Sequence, residues 1–244
     1  MPVKEVKDYY LKNKPKLMNQ FNKFLHISEG ILLKKFNEEQ IEDIFKKMRK
    51  EYENLIPKIP YIGGRKNPFT LQLVDCVSML AIFLTLEEVG LSYPEIGEFN
   101  YEFWEKVNHI RVHKLEKSGQ NPIDQYFNEA YLNFIRNFAK SLQQRRYPDD
   151  WVMEFIEGDG ETFDYGFKIT ECGIHKVFKR LEAEKYTPFL CLTDFALGNV
   201  YGFGFTRTQT LGNGDPICDH KFLRNGKTPR AWPPDNLQEF KMKL

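Results

Sequence analysis

The stretch FDYGFKITECGIHKVFKRL, residues 163–181, changes the spacing of its apolar side chains at Cys172. Before this cysteine, aromatic and branched residues occupy every second position, which is typical of a strand with one buried face. After it, apolar residues recur three and four positions apart, as on one side of a helix. We therefore predict a strand, a turn at Cys172 and a helix, and thus a sheet with helices packed on it in this half of the chain.

The regions around this stretch extend the pattern in both directions. WVMEFIE at 151–157 predicts a preceding strand, and Thr187 with Pro188 predicts the start of a second helix. Two further runs, 203–211 and 217–223, flank a Gly-Asn-Gly-Asp loop and predict a β-hairpin. The second half is therefore predicted to have the order strand-strand-helix-helix-strand-strand.

The first half is predicted to be helical. A weak periodicity over 5–33 indicates one or two helices. Stronger signals predict three more, at Glu38–Leu55 behind an Asn37 cap, at Thr70–Val89 and at Ile123–Leu142 behind Asn121-Pro122. The expected fold class is α+β, with a helical N-terminal half packed on a small antiparallel sheet. We expect 1–54 to be a helical N-terminal extension of an α+β domain over 55–244, the two forming one globular unit.

Composition argues against several classes of function. The net charge is +1, from 35 basic and 34 acidic residues, so neither nucleic acid nor an anionic membrane is an expected partner. The most apolar window, 77–86, is about half the ~20 residues that span a bilayer, and the N-terminus lacks a secretory signal pattern. Four cysteines do not make a disulfide scaffold in a chain of this size. We expect a cytoplasmic protein with free thiols, and a homo-oligomer stays open.

Cysteines near carboxylates are the first candidate for chemistry. Cys76, in the apolar run, is expected only to fill space. The other three each have an acidic residue nearby in the chain: Cys172 with Glu171, Cys191 with Asp194, and Cys218 with Asp219. We predict Cys172 and Cys191 near helix starts, where the helix dipole lowers a thiol pKa, whereas a neighbouring carboxylate raises it. The pattern predicts a thiol-carboxylate pocket in which carboxylates serve as acid or base.

The register of the predicted hairpin adds an arginine to this set. If Leu211 pairs with Pro216, Arg207 lies opposite His220, with Cys218 on the same face. Because a guanidinium matches a carboxylate in shape and charge, Arg207 is expected to hold an anionic group of a ligand.

Plainer interpretations exist for the same residues. Each cysteine could be a small buried apolar residue. Cys172, Cys191 and Cys218 could instead bind zinc, although they lack a Cys-x-x-Cys pair. Asp159 and Asp164 could be a turn residue and an exposed strand residue, since Gly-Asp-Gly is a common loop composition.

Residues 155–222, with YIGGRKNPFT at 61–70 as an earlier match, resemble the L-2-amino-thiazoline-4-carboxylic acid hydrolase family. The motifs that carry the resemblance are Asp164-Tyr165, Thr170-Glu171-Cys172-Gly173, Pro188 with Leu190-Cys191 and Asp194, Arg207-Thr208 with Thr210-Leu211, and Cys218-Asp219 with Phe222. The last motif departs from the family pattern, which usually continues as Cys-Asp-Phe-Arg-Phe, because His220 and Lys221 stand in its middle.

The resemblance implies hydrolytic opening of a 2-amino-thiazoline ring that bears a carboxylate, giving a carbamoyl-cysteine. On this basis Cys172 is expected to be the nucleophile or the thiol partner of an activated water, and Arg207 the clamp on the substrate carboxylate. Glu171 and Asp194 would be the acid and base, and Cys191 and Cys218 would complete the wall. The expected substrate-binding set also contains Asp159, Asp164 and Asp219. The expected partner is a small carboxylate-bearing heterocycle, and no cofactor is expected.

A second interpretation belongs to another class. The strand-helix-strand plan with a late cysteine motif also resembles small-molecule-binding domains related to 4-vinyl reductase. A non-enzymatic module of that kind would use Cys172, Cys191 and Cys218 to bind zinc.

Overall fold

The computed structural model describes residues 9–237, and the predicted helical first half is present. The helices are α1 Tyr9–Lys12, α2 Lys14–Leu32, α3 Glu38–Leu55, α4 Phe69–Glu88, α5 Tyr93–Lys117, α6 Asp124–Phe127, α7 Glu129–Leu142, α8 Gly173–Arg180, α9 Thr187–Cys191 and α10 Thr193–Tyr201. The start of the weak 5–33 prediction, before Tyr9, lies outside the described residues.

Helix α3 begins and ends at the predicted residues. The Asn37 side chain accepts a hydrogen bond from the Gln40 backbone at 2.9 Å, and the Gln40 side chain accepts one from the Asn37 backbone at 3.0 Å. Two amides at the start of the helix are thereby satisfied by side chains close in sequence, which is why the start can be predicted from the sequence alone.

Helix α5, the longest of the described helices, was not predicted from its sequence. It begins behind Ser92, whose backbone and hydroxyl both donate to the Glu95 carboxylate, at 2.7 and 2.6 Å. The Ser-x-x-Glu signal was therefore present in the sequence. Its absence from the prediction matters, because α5 provides one wall of the cavity described below.

The single helix predicted behind Asn121-Pro122 is wrong in one respect, because it is broken at Asn128. This residue has an extended backbone, with φ −86° and ψ 154°, and it separates α6 from α7. Its side chain accepts from the Tyr131 backbone at 2.8 Å and so caps the second helix. An asparagine inside an aromatic stripe was a cap signal that the apolar spacing obscured.

The second half forms a four-stranded sheet, as the α+β class predicts. Its strands are β1 Val152–Glu157, β2 Tyr165–Glu171, β3 Gly204–Thr206 and β4 Cys218–Leu223. Their spatial order is β1-β2-β4-β3, and every neighbouring pair is antiparallel. Helices α8, α9 and α10 connect β2 to β3, so the predicted order holds except that three helices stand where two were predicted.

The hairpin register agrees with the prediction. Phe205 pairs with Phe222 and Thr206 with Lys221. One further step in this register places Arg207 opposite His220, and the Arg207 Nη1 atom lies 3.3 Å from His220 Nε2. The predicted closeness of Arg207 and His220 is therefore present. The predicted strand over 203–211 is too long, because the ladder ends at Thr206 and Leu211 begins a 3-10 turn instead of pairing with Pro216.

One continuous hydrophobic core joins the first helices to the rest of the protein. Phe21 of α2 stacks on Tyr52 of α3 with ring centroids 4.4 Å apart, and Phe24 meets Phe103 of α5 at 5.2 Å. By length and composition alone α4 could cross a membrane, with a mean hydropathy of 1.9, but 72% of that window is buried inside the protein, as in a core helix.

Candidate active site

A cavity of 420 Å³ lies between helices α4 and α5 on one side and the sheet with its connecting helices on the other. Its wall contains all four cysteines of the chain, Cys76, Cys172, Cys191 and Cys218, together with Asp194 and Arg207. Side chains that are more than a hundred residues apart in sequence therefore face one space. This convergence is what the thiol-carboxylate pocket required.

Each cysteine reaches the cavity from a different element. Cys172 is the residue before α8, at the predicted strand-to-helix turn, and Cys218 begins β4. Cys191 is the last residue of α9, so its predicted place in the first turn of a helix is wrong. Cys76, expected only to fill space, belongs to the cavity wall as well.

The loop after Arg207 packs directly on two of the thiols. The Thr210 hydroxyl lies 3.4 Å from Cys191 Sγ and 3.5 Å from Cys218 Sγ, and the Leu211 backbone donates to Cys218 Sγ at 3.3 Å. At Gly212 a Cβ atom would stand 2.6 Å from Cys191 Sγ, so only glycine lets this loop approach so closely.

Burial keeps these thiols protonated near neutral pH. It raises the pKa of Cys172 to about 12, although the backbone amides of His175 and Ile174 act in the opposite direction. Burial likewise raises the pKa of Cys191 and of Cys218, against the lowering effect of Arg207. The expected lowering of the thiol pKa by helix starts is therefore outweighed, because desolvation disfavours the thiolate.

Arg207 is the charged centre of the sheet side of the cavity. Its side chain is 1% exposed, and Nη1 donates to Asp194 Oδ2 at 3.0 Å while Nη2 donates to the Cys191 carbonyl at 2.9 Å. Burial and the adjacent Arg207 charge lower the pKa of His220 well below its usual value, so this histidine is neutral. The site thus contains an Arg207–Asp194 ion pair beside a neutral imidazole.

Glu171, expected as an acid or base, does not line the cavity. Its carboxylate is paired with Arg145 and with Lys176, whose Nζ also donates to the backbone carbonyls of Pro148 and Asp150. Glu171 pairs with Val152 of β1, and both of its ion-pair partners lie outside the cavity wall. Glu171, expected to be catalytic, is therefore not among the residues that the fold brings to the cavity wall.

The three remaining aspartates also bind the protein's own amides. Asp159 accepts from the Thr162 hydroxyl and from the backbone of 161–163 within its turn, and these bonds, the hydroxyl bond most of all, lower its pKa. Asp164 accepts from the Arg224 amide at 2.6 Å, and Asp219 accepts from the amides of Thr208 and Gln209 at 2.8 and 2.7 Å. These three aspartates, expected to bind substrate, do not line the cavity, and their hydrogen bonds are of the kind that stabilises loops.

Asp75 is a cavity-lining carboxylate that was not predicted from the sequence. It lies in the apolar helix α4, it is 6% exposed, and it faces the cavity. Within the described chain its Oδ1 atom has no hydrogen-bond partner. Burial raises its pKa from 3.8 to about 7, and Arg111 opposes this only in part. The signal was a single carboxylate in a run that is otherwise almost wholly apolar.

The structure of residues 9–237 was also compared with the expectation of a zinc site. Within residues 9–237 the histidine, cysteine, aspartate and glutamate side chains form no group of three or more placed to hold a metal ion.

Comparisons with known proteins give one match. The family model described as L-2-amino-thiazoline-4-carboxylic acid hydrolase matches residues 76–222, from α4 to β4. No curated protein and no solved structure matches the chain. The matched segment contains all four thiols, Asp194 and Arg207.

Proposed function

Because this chain belongs to the L-2-amino-thiazoline-4-carboxylic acid hydrolase family, we propose that it opens the ring of a cyclic amidine that carries a carboxylate. The observation that supports this most strongly is the meeting of Asp194, Arg207 and the thiols in one cavity within the matched segment. A volume of 420 Å³ suits a small heterocycle, since ligand pockets measure roughly 300–1,000 Å³.

Water is the nucleophile that fits this cavity best. A Cys172 thiol whose pKa is about 12 supplies little thiolate at neutral pH, so Cys172 acts as a thiol partner rather than as the attacking group. In the proposed reaction, water adds to the amidine carbon and Asp194 accepts its proton. The ring bond to sulfur or nitrogen then breaks, and the departing atom receives that proton.

Arg207 supports this reaction in two ways. It holds Asp194 at 3.0 Å, which fixes the direction of the base, and its charge attracts the substrate carboxylate. Because Asp194 already accepts from the guanidinium, a bound substrate carboxylate shares Arg207 with Asp194. The thiols of Cys172, Cys191 and Cys218 form the soft, weakly donating wall on which the ring sulfur lies.

The test is incubation of the purified protein with L-2-amino-thiazoline-4-carboxylate, followed by mass spectrometry and a free-thiol assay. The expected result is a product heavier by one water, and release of a thiol tells whether the carbon–sulfur bond breaks. Asp194→Asn is expected to lower kcat by ~10²–10⁴, as for loss of a general base. The matched control is Asp43→Asn, on the exposed face of α3.

Two outcomes would contradict the proposal. A folded protein that leaves this substrate and other carboxylate-bearing cyclic amidines intact would exclude the reaction. An Asp194→Asn variant as active as the Asp43→Asn control would exclude Asp194 as the base.

A further inference from the structure

The helix side of the cavity has two buried acceptors without donors. Asp75 Oδ1 on α4 and Asn108 Oδ1 on α5 have no hydrogen-bond partner in the part of the chain that the structure describes. The two residues are 6% and 2% exposed, and both line the 420 Å³ cavity. They belong to neighbouring helices, whereas Cys172, Cys191, Cys218 and Arg207 reach the cavity from the sheet and its connections.

Such acceptors are costly in a folded protein unless something donates to them. Buried polar atoms in native structures are nearly always paired, and the exceptions concentrate where a ligand or a catalytic step completes the bond. Two acceptors facing one space call for a ligand with at least two N–H groups. Because one acceptor is a carboxylate, a cationic donor is favoured over a neutral one.

We propose that Asp75 and Asn108 bind the amidinium end of the substrate through its ring N–H and exocyclic NH₂ groups. This inference rests on the proposed function for the class of substrate, and it adds the group that recognises the reacting carbon. A protonated amidine is planar, with its N–H donors pointing outward in one plane, and two acceptors from adjacent helices suit it.

This contact also contributes to the reaction. A carboxylate beside the amidine holds it in the protonated form, which makes its central carbon more electrophilic towards water. Asp75 and Asn108 hold the cationic end on the helix side, while Asp194 and Arg207 act from the sheet side. The substrate is thereby oriented by charge, with the amidine towards α4 and α5 and the carboxylate towards Arg207.

The competing explanation is a plain ion pair between Asp75 and Arg111. Arg111 is exposed and lies over the Trp104 ring, with its guanidinium carbon 5.8 Å from the centroid, and its charge acts on Asp75. If a rotation of Arg111 neutralised Asp75, the carboxylate would stabilise the fold and would not distinguish amidines from their analogues.

The experiment measures binding rather than turnover. The protein, residues 1–244, is titrated at pH 8 with 2-amino-2-thiazoline, which has the amidine but no carboxylate, and with 2-methyl-2-thiazoline, which lacks the exocyclic NH₂. We expect the parent protein to bind 2-amino-2-thiazoline more tightly than 2-methyl-2-thiazoline. Asp75→Asn should weaken that probe roughly 10- to 100-fold, as for loss of a charge-assisted hydrogen bond, and Asn108→Leu should weaken it by about 10-fold. Asp43→Asn should leave it unchanged.

Equal affinity for the two probes, or unchanged affinity in a folded Asp75→Asn variant, would overturn the inference. The result is separable from the proposed function, because hydrolysis does not enter the readout. Selective binding of the amino probe without any ring opening would support the amidinium site and leave only the reaction refuted. Ring opening without probe selectivity would refute the amidinium site alone.

Discussion

Replacing Asp75 by asparagine is expected to stabilise the protein at high pH. A carboxyl whose pKa is raised on folding from 3.8 to about 7 is protonated in the folded state while the unfolded state already ionises. As far as Asp75 is concerned, the free energy of unfolding is therefore highest below about pH 4, falls as pH rises, and is lowest above about pH 7. At 1.36 kcal/mol for each pKa unit, ionising Asp75 in the folded protein lowers the free energy of unfolding by about 4 kcal/mol. Asparagine has the same shape and does not titrate.

Urea unfolding of the parent and Asp75→Asn proteins at several pH values measures this effect directly. Near pH 4 the two free energies of unfolding should agree within about 1 kcal/mol, and by pH 8 the variant should be more stable by about 2–4 kcal/mol. Asp43→Asn, on an exposed face of α3, serves as the control and should show no such trend. A difference that stays constant from pH 4 to pH 8, or one of opposite sign, would refute the account of Asp75 as a buried, unpartnered carboxyl.

Two further substitutions test the roles assigned to charged residues. Arg207→Lys keeps the charge but removes the planar guanidinium. The preference for a carboxylate-bearing amidine over 2-amino-2-thiazoline, measured as a ratio of kcat/KM values, should therefore fall by ~10-fold or more. An unchanged ratio would contradict the role of Arg207 in holding the substrate carboxylate. Glu171→Gln should leave kcat within about twofold and change the free energy of unfolding by at most about 1 kcal/mol. The reason is that the ion pairs of Glu171 are partly exposed and lie outside the cavity. A loss of kcat comparable to that of Asp194→Asn would instead indicate that Glu171 takes part in catalysis.

The features predicted correctly from the sequence are those fixed by neighbours in the chain. The capping pair of Asn37 and Gln40 set the start of α3, and the alternation around Arg207 and His220 set the hairpin register. The break at Asn128 was missed because apolar spacing continues across it, although its side chain caps α7. A capping residue can therefore break a helix even where the helical spacing of apolar residues continues.

The candidate site was predictable in part. The meeting of Cys172, Cys191 and Cys218 followed from their motifs. The positions of Asp75 and Cys76 in the cavity wall could not be predicted, because α4 is buried on nearly all sides and its apolar pattern does not indicate which side borders a cavity.

Glu171 illustrates the opposite error. Strand alternation places it on the same side as Ile169, but the pairing of β1 with β2 is irregular between Val152 and Met153, opposite this strand end. Two cations from other elements pair with the carboxylate, which does not line the cavity. Arg145 comes from 26 residues earlier in the chain and Lys176 from the following helix, so closeness in sequence to Cys172 was a poor guide.

The most direct test of the account is a crystal structure of the Asp194→Asn protein with L-2-amino-thiazoline-4-carboxylate bound. The ring is expected inside the cavity, with its amidine nitrogens about 2.7–3.2 Å from the carboxylate of Asp75 and the amide oxygen of Asn108, and with its carboxylate towards Arg207. A ligand bound elsewhere on the protein, or one seated in the cavity with its amidine turned away from Asp75 and its carboxylate away from Arg207, would contradict it.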